Sequence, residues 1–338
     1  MSYTRFTSDE ARAIEDKYTL PRLVCLPGGA IAMYFLAYPW SADHWALTAF
    51  WTLVTAYFLF CWTSCFHETV HQTLTRFKPV SVWLGRFLGA GIYVPYTVYR
   101  ESHIRHHAYL NKPCDWELWP YASPDCSKAF RRVFVWIDLF CSILTGPIIY
   151  GRIYFHKDSP LTNPAIRRTI RNEYLFILLF WGVICACMQY FDCWAEFFKV
   201  WFVPVLVGGV LQTGRKLTEH LGMSSFDPML GTRTVLGSTW LTRFGTFVNF
   251  DIFIHGPHHR HPRAAHNQLG QKMQEYIASN PQTNYPVYRH YWQATWAMLP
   301  FLFTNPGCGV NAGAEAPRRR DADVQDFVGD VTREILAS

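Results

Sequence analysis

The sequence predicts an all-α integral membrane helical bundle, with about four spanning helices, interfacial helices between them and a cytoplasmic histidine-rich cap. Three observations predict it. Half of the 338 residues are apolar and only 17% are charged, against roughly 25% charged in ordinary soluble domains. The apolar residues are clustered into runs that approach bilayer-spanning length, about 17–25 residues as helix. The basic residues gather in particular loops beside those runs rather than over the whole surface.

In chain order, Leu23 to Trp40 is apolar but softened by Pro27, Gly28 and Gly29, and Trp45 to Phe66 is the cleanest spanning segment. Their connector, Ser41 to His44, holds one Asp and no base. Ser81 to Tyr99 is interrupted by Arg86, glycines and Pro95, and Val133 to Tyr150 carries Asp138. Tyr174 to Tyr190 and Phe197 to Gly214 form a second pair, joined by an acidic connector, Asp192 to Glu196. Tyr291 to Phe303 is aromatic and short. The other loops carry the positive charge: Arg76, Lys78, Arg100, Arg105, Arg131, Arg132, Arg152, Lys157, Arg167, Arg168, Arg171, Arg215 and Lys216. Basic loops stay on the cytoplasmic side, which places both termini there as well. That topology makes two spanning hairpins and requires Ser81–Tyr99 and Val133–Tyr150 to enter and return or to lie in the interface. A membrane-embedded catalytic domain is expected over 1–304. A cytoplasmic tail over 305–338 is expected to hold one amphipathic helix at 321–336.

The bulk charge of +6 could mean nucleic acid or anionic lipid, but its position in membrane-flanking loops favours topology, and no basic run is interleaved with aromatics. No nucleic-acid partner is expected. Ten cysteines show no framework spacing and read as small buried hydrophobes in a reducing compartment. Met1 to Arg22 lacks the apolar core of a secretory signal. The location expected is a bacterial inner membrane or the endoplasmic reticulum.

Of 14 histidines, most fall in a pattern: His67 and His71 in HETVH, His103, His106 and His107 in HIRHH, His220 in TEHLG, and His255, His258 and His259 in HGPHH. On a helix, residues i and i+4 share a face, so His67 and His71 address one centre and the three rings of HIRHH form one patch. Pro257 suits a first helical position, which sets His255 just before a helix bearing His258 and His259. Neutral imidazole binds Zn, Cu, Fe and Ni. One tetrahedral zinc needs only four ligands. This many imidazoles suit two ions, and redox-active iron near a bilayer points to O2 chemistry. HETVH also matches the H-E-x-x-H zinc protease signature, but a protease has no need of the two HxxHH clusters. His44, His156 and His290 read as structural; His261 and His266 lie beside the last cluster. Glu68, Glu101, Glu219, Asp251 and Asn249 are candidates to orient a ligand or a metal-bound water, with solvated or capping roles equally open.

These residues resemble the membrane fatty acid desaturases and related hydroxylases. The family pattern is an HxxxH or HxxxxH, a central HxxHH, a late HxxHH, and often one further histidine. The resemblance runs from about Trp45 to Arg263. It implies iron ligation by His67, His71, His103, His106, His107, His220, His255, His258 and His259, with O2 as co-substrate. It also implies a fatty acyl or other lipid substrate and four spanning helices. HxxxH leans toward acyl-lipid enzymes, whereas TEHLGM is similar to an element of membrane alkane hydroxylases. A hydroxylase or ketolase of an alkane, fatty acid or carotenoid-type lipid therefore stays open beside desaturation. No HPGG motif is present, so electrons are expected from a separate carrier of ferredoxin, rubredoxin or cytochrome b5 type. Phe66, Tyr99 and Trp116 are candidates to line the substrate channel or to sit in an interfacial belt.

Overall fold

The computed structural model describes residues 17–41, 44–75 and 77–315; the predicted helix at 321–336, both termini and the centre of the first connector lie outside the described residues. Helix α1 (Leu26–Ser41) continues a π-helical turn at Pro21–Cys25 and packs along α2 (Trp45–His71). Over Pro21–Leu36 it is apolar but shorter than a span. Among the described residues, three helices are long and apolar enough to cross a membrane: α2, α7 (Pro164–Phe191) and α8 (Trp194–His220). Their outward side chains have no protein to cover them, and Leu178 and Leu179 on α7 are 72% and 66% exposed. Such a surface is stable only against lipid.

Helix α2 has 27 residues, about 40 Å at 1.5 Å per residue, and so exceeds a hydrocarbon core of about 30 Å. Its last turns, with His67 and His71, therefore emerge beyond the apolar slab. Helices α5 (Lys128–Phe140) and α6 (Ser142–Phe155) meet at 120°, so the run containing Asp138 does not cross as one straight helix. Asp138 is buried and accepts hydrogen bonds from Tyr121 Oη at 2.9 Å, Thr145 Oγ1 at 2.7 Å and Lys216 Nζ at 2.7 Å. A buried carboxylate is tolerable only with such partners, and here they lash the bent pair to α8.

Ser81–Tyr99 is likewise broken, into α3 (Lys78–Gly91) and α4 (Tyr96–Ala108). The first turn of α4 is capped by Glu173 of α7, which accepts from Thr97 N at 2.7 Å and Thr97 Oγ1 at 2.8 Å and also from Arg86 Nε at 3.0 Å. A carboxylate at a helix N-terminus satisfies orphan donors and opposes the dipole. It fixes the histidine-bearing α4 to a spanning helix. The cap is completed by α9 (Trp240–Val248), α10 (His255–Arg260), α11 (Leu269–Ser279), α12 (Tyr291–Thr304) and a two-residue parallel pair, β1 (Thr234–Val235) with β2 (Val287–Tyr288). Residues after α12 fold back over the cap: Cys308 N donates to Tyr121 O at 3.0 Å and Gly309 N to Met223 O at 2.8 Å. Gly309 has φ +56, and a Cβ there would lie 1.9 Å from Asn111 O, so only glycine lets the two backbones meet.

Candidate metal centre

The four histidine-bearing stretches converge. The rings of His67, His71, His103, His107 and His258 form one group whose nitrogens lie within 4.8 Å of one another. His106, His220 and His259 form a second, and His220 and His255 a third with Glu219, on the same limit. The last two share His220 and are one lobe: His255 Nε2 is 2.9 Å from His220 Nε2 and 3.0 Å from His259 Nε2. The lobes adjoin through His107 and His259, whose rings stack at 4.1 Å.

The motifs do not map one-to-one onto the lobes. At 100° per residue, the i and i+4 positions lie about 40° apart around a helix, while i+3 lies about 60° to the other side. In HIRHH, His103 and His107 accordingly join the first lobe and His106 the second. In HGPHH, His255 and His259 join the second lobe and His258 the first. The expected single patch in HIRHH is thus divided between two adjoining groups. The last helix begins at His255 itself, with Ile254 as its N-cap, earlier than Pro257 suggested.

Three contacts fix the ring orientations. His103 Nδ1 donates to Glu117 at 3.0 Å, His106 Nδ1 to Asp115 at 2.8 Å and His255 Nδ1 to the Ile252 carbonyl at 3.2 Å. Each leaves an Nε2 lone pair directed inward, the second-partner arrangement common to metal-bound imidazole. Glu117 in turn accepts from Tyr150 Oη at 3.0 Å, and Asp115 from the backbone N–H groups of Asn111 and Leu118, each at 3.3 Å. Burial and the neighbouring cations and imidazoles hold His107, His255, His258 and His259 well below the usual imidazole range. They are therefore neutral, which is the metal-binding form. Burial alone would raise Glu117, but His103, His106 and the Tyr150 hydroxyl together outweigh it and the carboxyl falls below its ordinary value.

Among the described residues, seven buried ring nitrogens find no hydrogen-bond partner: both of His67, Nε2 of His71 and His258, and Nδ1 of His107, His220 and His259. Buried polar atoms are rarely left so. In His107, His220 and His259 the orphan Nδ1 is the outer nitrogen, since Nε2 meets a neighbouring ring at 2.9–3.0 Å. It is the convergence of imidazole nitrogens, with no thiolate among them, that fits a pair of imidazole-binding transition-metal ions.

Asp115 and Glu117 are not among the acids expected from the sequence. Their signal is two acids flanking Trp116 in an aromatic loop, where burial demands donors. The acids expected to orient ligands are placed differently. Asp251 accepts from His266 Nδ1 at 2.8 Å, Glu68 from the Thr73 hydroxyl, and Glu101 from Arg105. Asn249 accepts from Ser64 Oγ at 2.8 Å and donates to Gly245 O at 3.0 Å. Glu219 lies in the second lobe, 3.6 Å from His255 Nε2. His261 meets the Tyr276 hydroxyl. A cavity of about 350 Å³ runs from the rings of both lobes between α2, α6 and α8, with Phe66 and Tyr99 in its wall. Trp116 is not in that wall and instead lies under Arg152, 4.3 Å from its guanidinium.

Fold and site together define a membrane protein with a buried two-lobed polyhistidine centre at the end of an apolar cavity. The chain belongs to the fatty acid desaturase family, whose model matches residues 43–292, and it is an oxidoreductase. It is 25% identical over 252 residues to a fatty acid desaturase of Bacillus subtilis, covering 70% of each chain. It is 25% identical to an sn-1 oleoyl-lipid 12-desaturase of Arthrospira platensis, covering 69% of this chain and 66% of the relative. An sn-1 acyl-lipid omega-3 desaturase (ferredoxin) of a Synechocystis strain is 22% identical, covering 83% and 80%.

Proposed function

We propose that the chain is an O2-dependent di-iron desaturase that inserts a double bond into the alkyl chain of a membrane lipid. The observation that carries this reading is the cavity: it starts among residues of the spanning segments and ends on both histidine lobes. His67, His71, His103, His107 and His258 would hold one iron, and His106, His220, His255 and His259 the other. Bound there, the iron pair supplies the O2 activation and one-electron chemistry that an unactivated C–H bond requires. The overall reaction removes two hydrogens from adjacent methylenes and reduces O2 to two waters with two external electrons and two protons.

The residues of the chain supply everything else. Phe66 stacks on Tyr99 at 4.5 Å, and Tyr99 on His103 at 5.4 Å, so an alkyl chain meets a dry aromatic wall beside the rings. Pro147 on α6, Phe180 on α7 and Val205 on α8 line the same cavity. These helices face lipid, so the chain enters sideways from the bilayer while its headgroup stays outside. Lateral access supports a lipid-bound acyl substrate, as the names of the Arthrospira and Synechocystis relatives have it for those enzymes. Asp251 and Glu68 buttress the segments that carry the rings. Helices α2 and α8 both deliver histidines at their C-terminal ends, and the basic loops on that side support a cytoplasmic site. A separate carrier of ferredoxin type delivers the electrons there, and reconstitution against rubredoxin and cytochrome b5 identifies it.

The test is expression in a host with a compatible donor, followed by mass spectrometry of total lipids. A new double bond, lost in His107→Ala, is the expected result. A hydroxyl or keto group in its place turns the reading to hydroxylation or ketolation. Unchanged lipids with a loaded iron site and working donor overturn the acyl substrate.

A further inference from the structure

The two lobes are unequal in imidazoles, with five in the first and four in the second: His106, His220, His255 and His259. The second lobe has another donor. Glu219 precedes His220 on the last turn of α8 and is buried. One carboxylate oxygen, Oε2, lies 3.6 Å from His255 Nε2, and its ligand atom falls within 4.8 Å of those of His220 and His255. Donors bound to one ion at about 2.0–2.2 Å stand roughly 2.8–3.6 Å apart at octahedral or tetrahedral angles. The spacings around His255 are 2.9 Å to His220, 3.0 Å to His259 and 3.6 Å to Glu219. All three fit the edges of a single coordination shell.

Resting on the two-iron reading, we propose that Glu219 is the fifth ligand of the second lobe, giving one all-imidazole ion and one ion with a carboxylate. The carboxylate is held for that task by Arg215, whose Nη1 donates to both of its oxygens at 3.2 Å. Arg215 is itself fixed by Gln212 Oε1, at 3.3 Å from Nε and 3.1 Å from Nη2, and Thr63 Oγ1 donates to the same oxygen at 2.7 Å. A carboxylate can accept from a guanidinium and still present a lone pair to a cation, because its two oxygens offer about four acceptor positions. Its negative charge also separates the Arg215 cation from the nearer ion, which the geometry would otherwise leave facing each other in a buried site. Glu219, His220 and His255 line the substrate cavity together, so the carboxylate-bearing ion sits beside the substrate.

The experiment loads the full-length protein with ⁵⁷Fe and reads iron stoichiometry, binding affinity and Mössbauer spectra, with no turnover involved. Wild type is expected to hold two irons per chain in two distinct quadrupole doublets of equal area. Glu219→Gln keeps the shape and a hydrogen-bonding group for Arg215 but loses the anionic ligand. It is expected to bind the second iron at least tenfold more weakly and to change one doublet only. Should Glu219→Gln cost the fold through an unpaired Arg215, the double variant Arg215→Met with Glu219→Gln removes both charges, and the same loss of one iron is expected. Wild-type affinity and both doublets unchanged in either folded variant overturn the Glu219 assignment and leave the di-iron reading standing. A wild-type protein that does not take two irons overturns both.

Discussion

The lobe around His67 contains His71, a residue that is only partly buried, whereas every histidine of the lobe around His220 is buried. The two are also steadied differently. In the first, Glu117 holds His103 and is itself held by a side chain, Tyr150 of α6. In the second, Asp115 holds His106 and is held by backbone N–H groups of its own loop. Arg233 adds rigidity there by donating to the carbonyls of Thr218 at 3.0 Å and Leu221 at 2.7 Å, which closes the C-terminal end of α8 next to His220. One lobe is thus tied by side chains to α6 and is less fully buried, and the other is set in a backbone frame. A histidine motif is therefore not a metal site: each HxxHH contributes to both lobes, and what decides the lobe is angle around the helix.

The sharpest way to break that comparison uses two neighbouring residues. His258→Ala should remove iron from the first lobe and His259→Ala from the second, each leaving about one ion per chain and no detectable double-bond formation. Losses in affinity at the emptied site should exceed the roughly 10–100-fold that follows removal of a ligand-orienting partner. Mössbauer spectra of the two variants should show different surviving doublets. The same survivor in both would collapse the two lobes into one site. Next in size are the orienting carboxylates. Asp115→Asn and Glu117→Gln should each weaken iron binding about 10–100-fold, the former at the second lobe and the latter at the first. Equal effects on both doublets would show that the carboxylates act on the cap as a whole.

These expectations also mark what the sequence could and could not say. Hydropathy and loop charge carried the membrane class and the interruption at Asp138, because both are properties of a stretch of chain. The convergence of the nine histidines was legible from spacing, since three of the four stretches carry several rings on one helical turn or two. The division into lobes follows from helical angle, yet it is fixed only once α4 and α10 face each other. Asp115 and Glu117 were out of reach for another reason. Their loop returns to its own histidines through Asn111, which has φ 59 and donates from Nδ2 to Ser225 O at 2.8 Å and Gly231 O at 2.9 Å. That path depends on contacts more than a hundred residues away in sequence. Conversely, Glu68 stood out by adjacency to His67, but one step along a helix turns a side chain by about 100°, away from the neighbour's face, while Asp251 lies in the turn before α10 with φ 52 and meets His266 instead.

A chelator should expose the difference in burial. With both lobes loaded, extraction by a membrane-impermeant chelator should proceed in two phases, the fast one belonging to the lobe containing His71. Recording spectra during extraction shows which doublet fades first. Loss of the second lobe's ion ahead of the first would mean that access is through the substrate cavity and not past His71.

The smallest effect isolates one link between the cavity wall and a metal lobe. Tyr150 donates to Glu117, lines the cavity and packs edge-on against Tyr99 at 5.2 Å, while Tyr99 stacks on His103. Tyr150→Phe keeps the ring, its packing and the apolar wall, and removes only the hydroxyl. A single hydrogen bond contributes about 0.5–1.5 kcal/mol net, which is roughly two- to tenfold in affinity. The first lobe should lose iron affinity by that factor and the second should not change. Glu117→Gln combined with Tyr150→Phe should then be no worse than Glu117→Gln alone, because the hydroxyl acts on the metal only through the carboxylate. An additive double variant would instead place Tyr150 in direct contact with the chemistry, and the contrast between a side-chain-held lobe and a backbone-held one would have to be redrawn around α6.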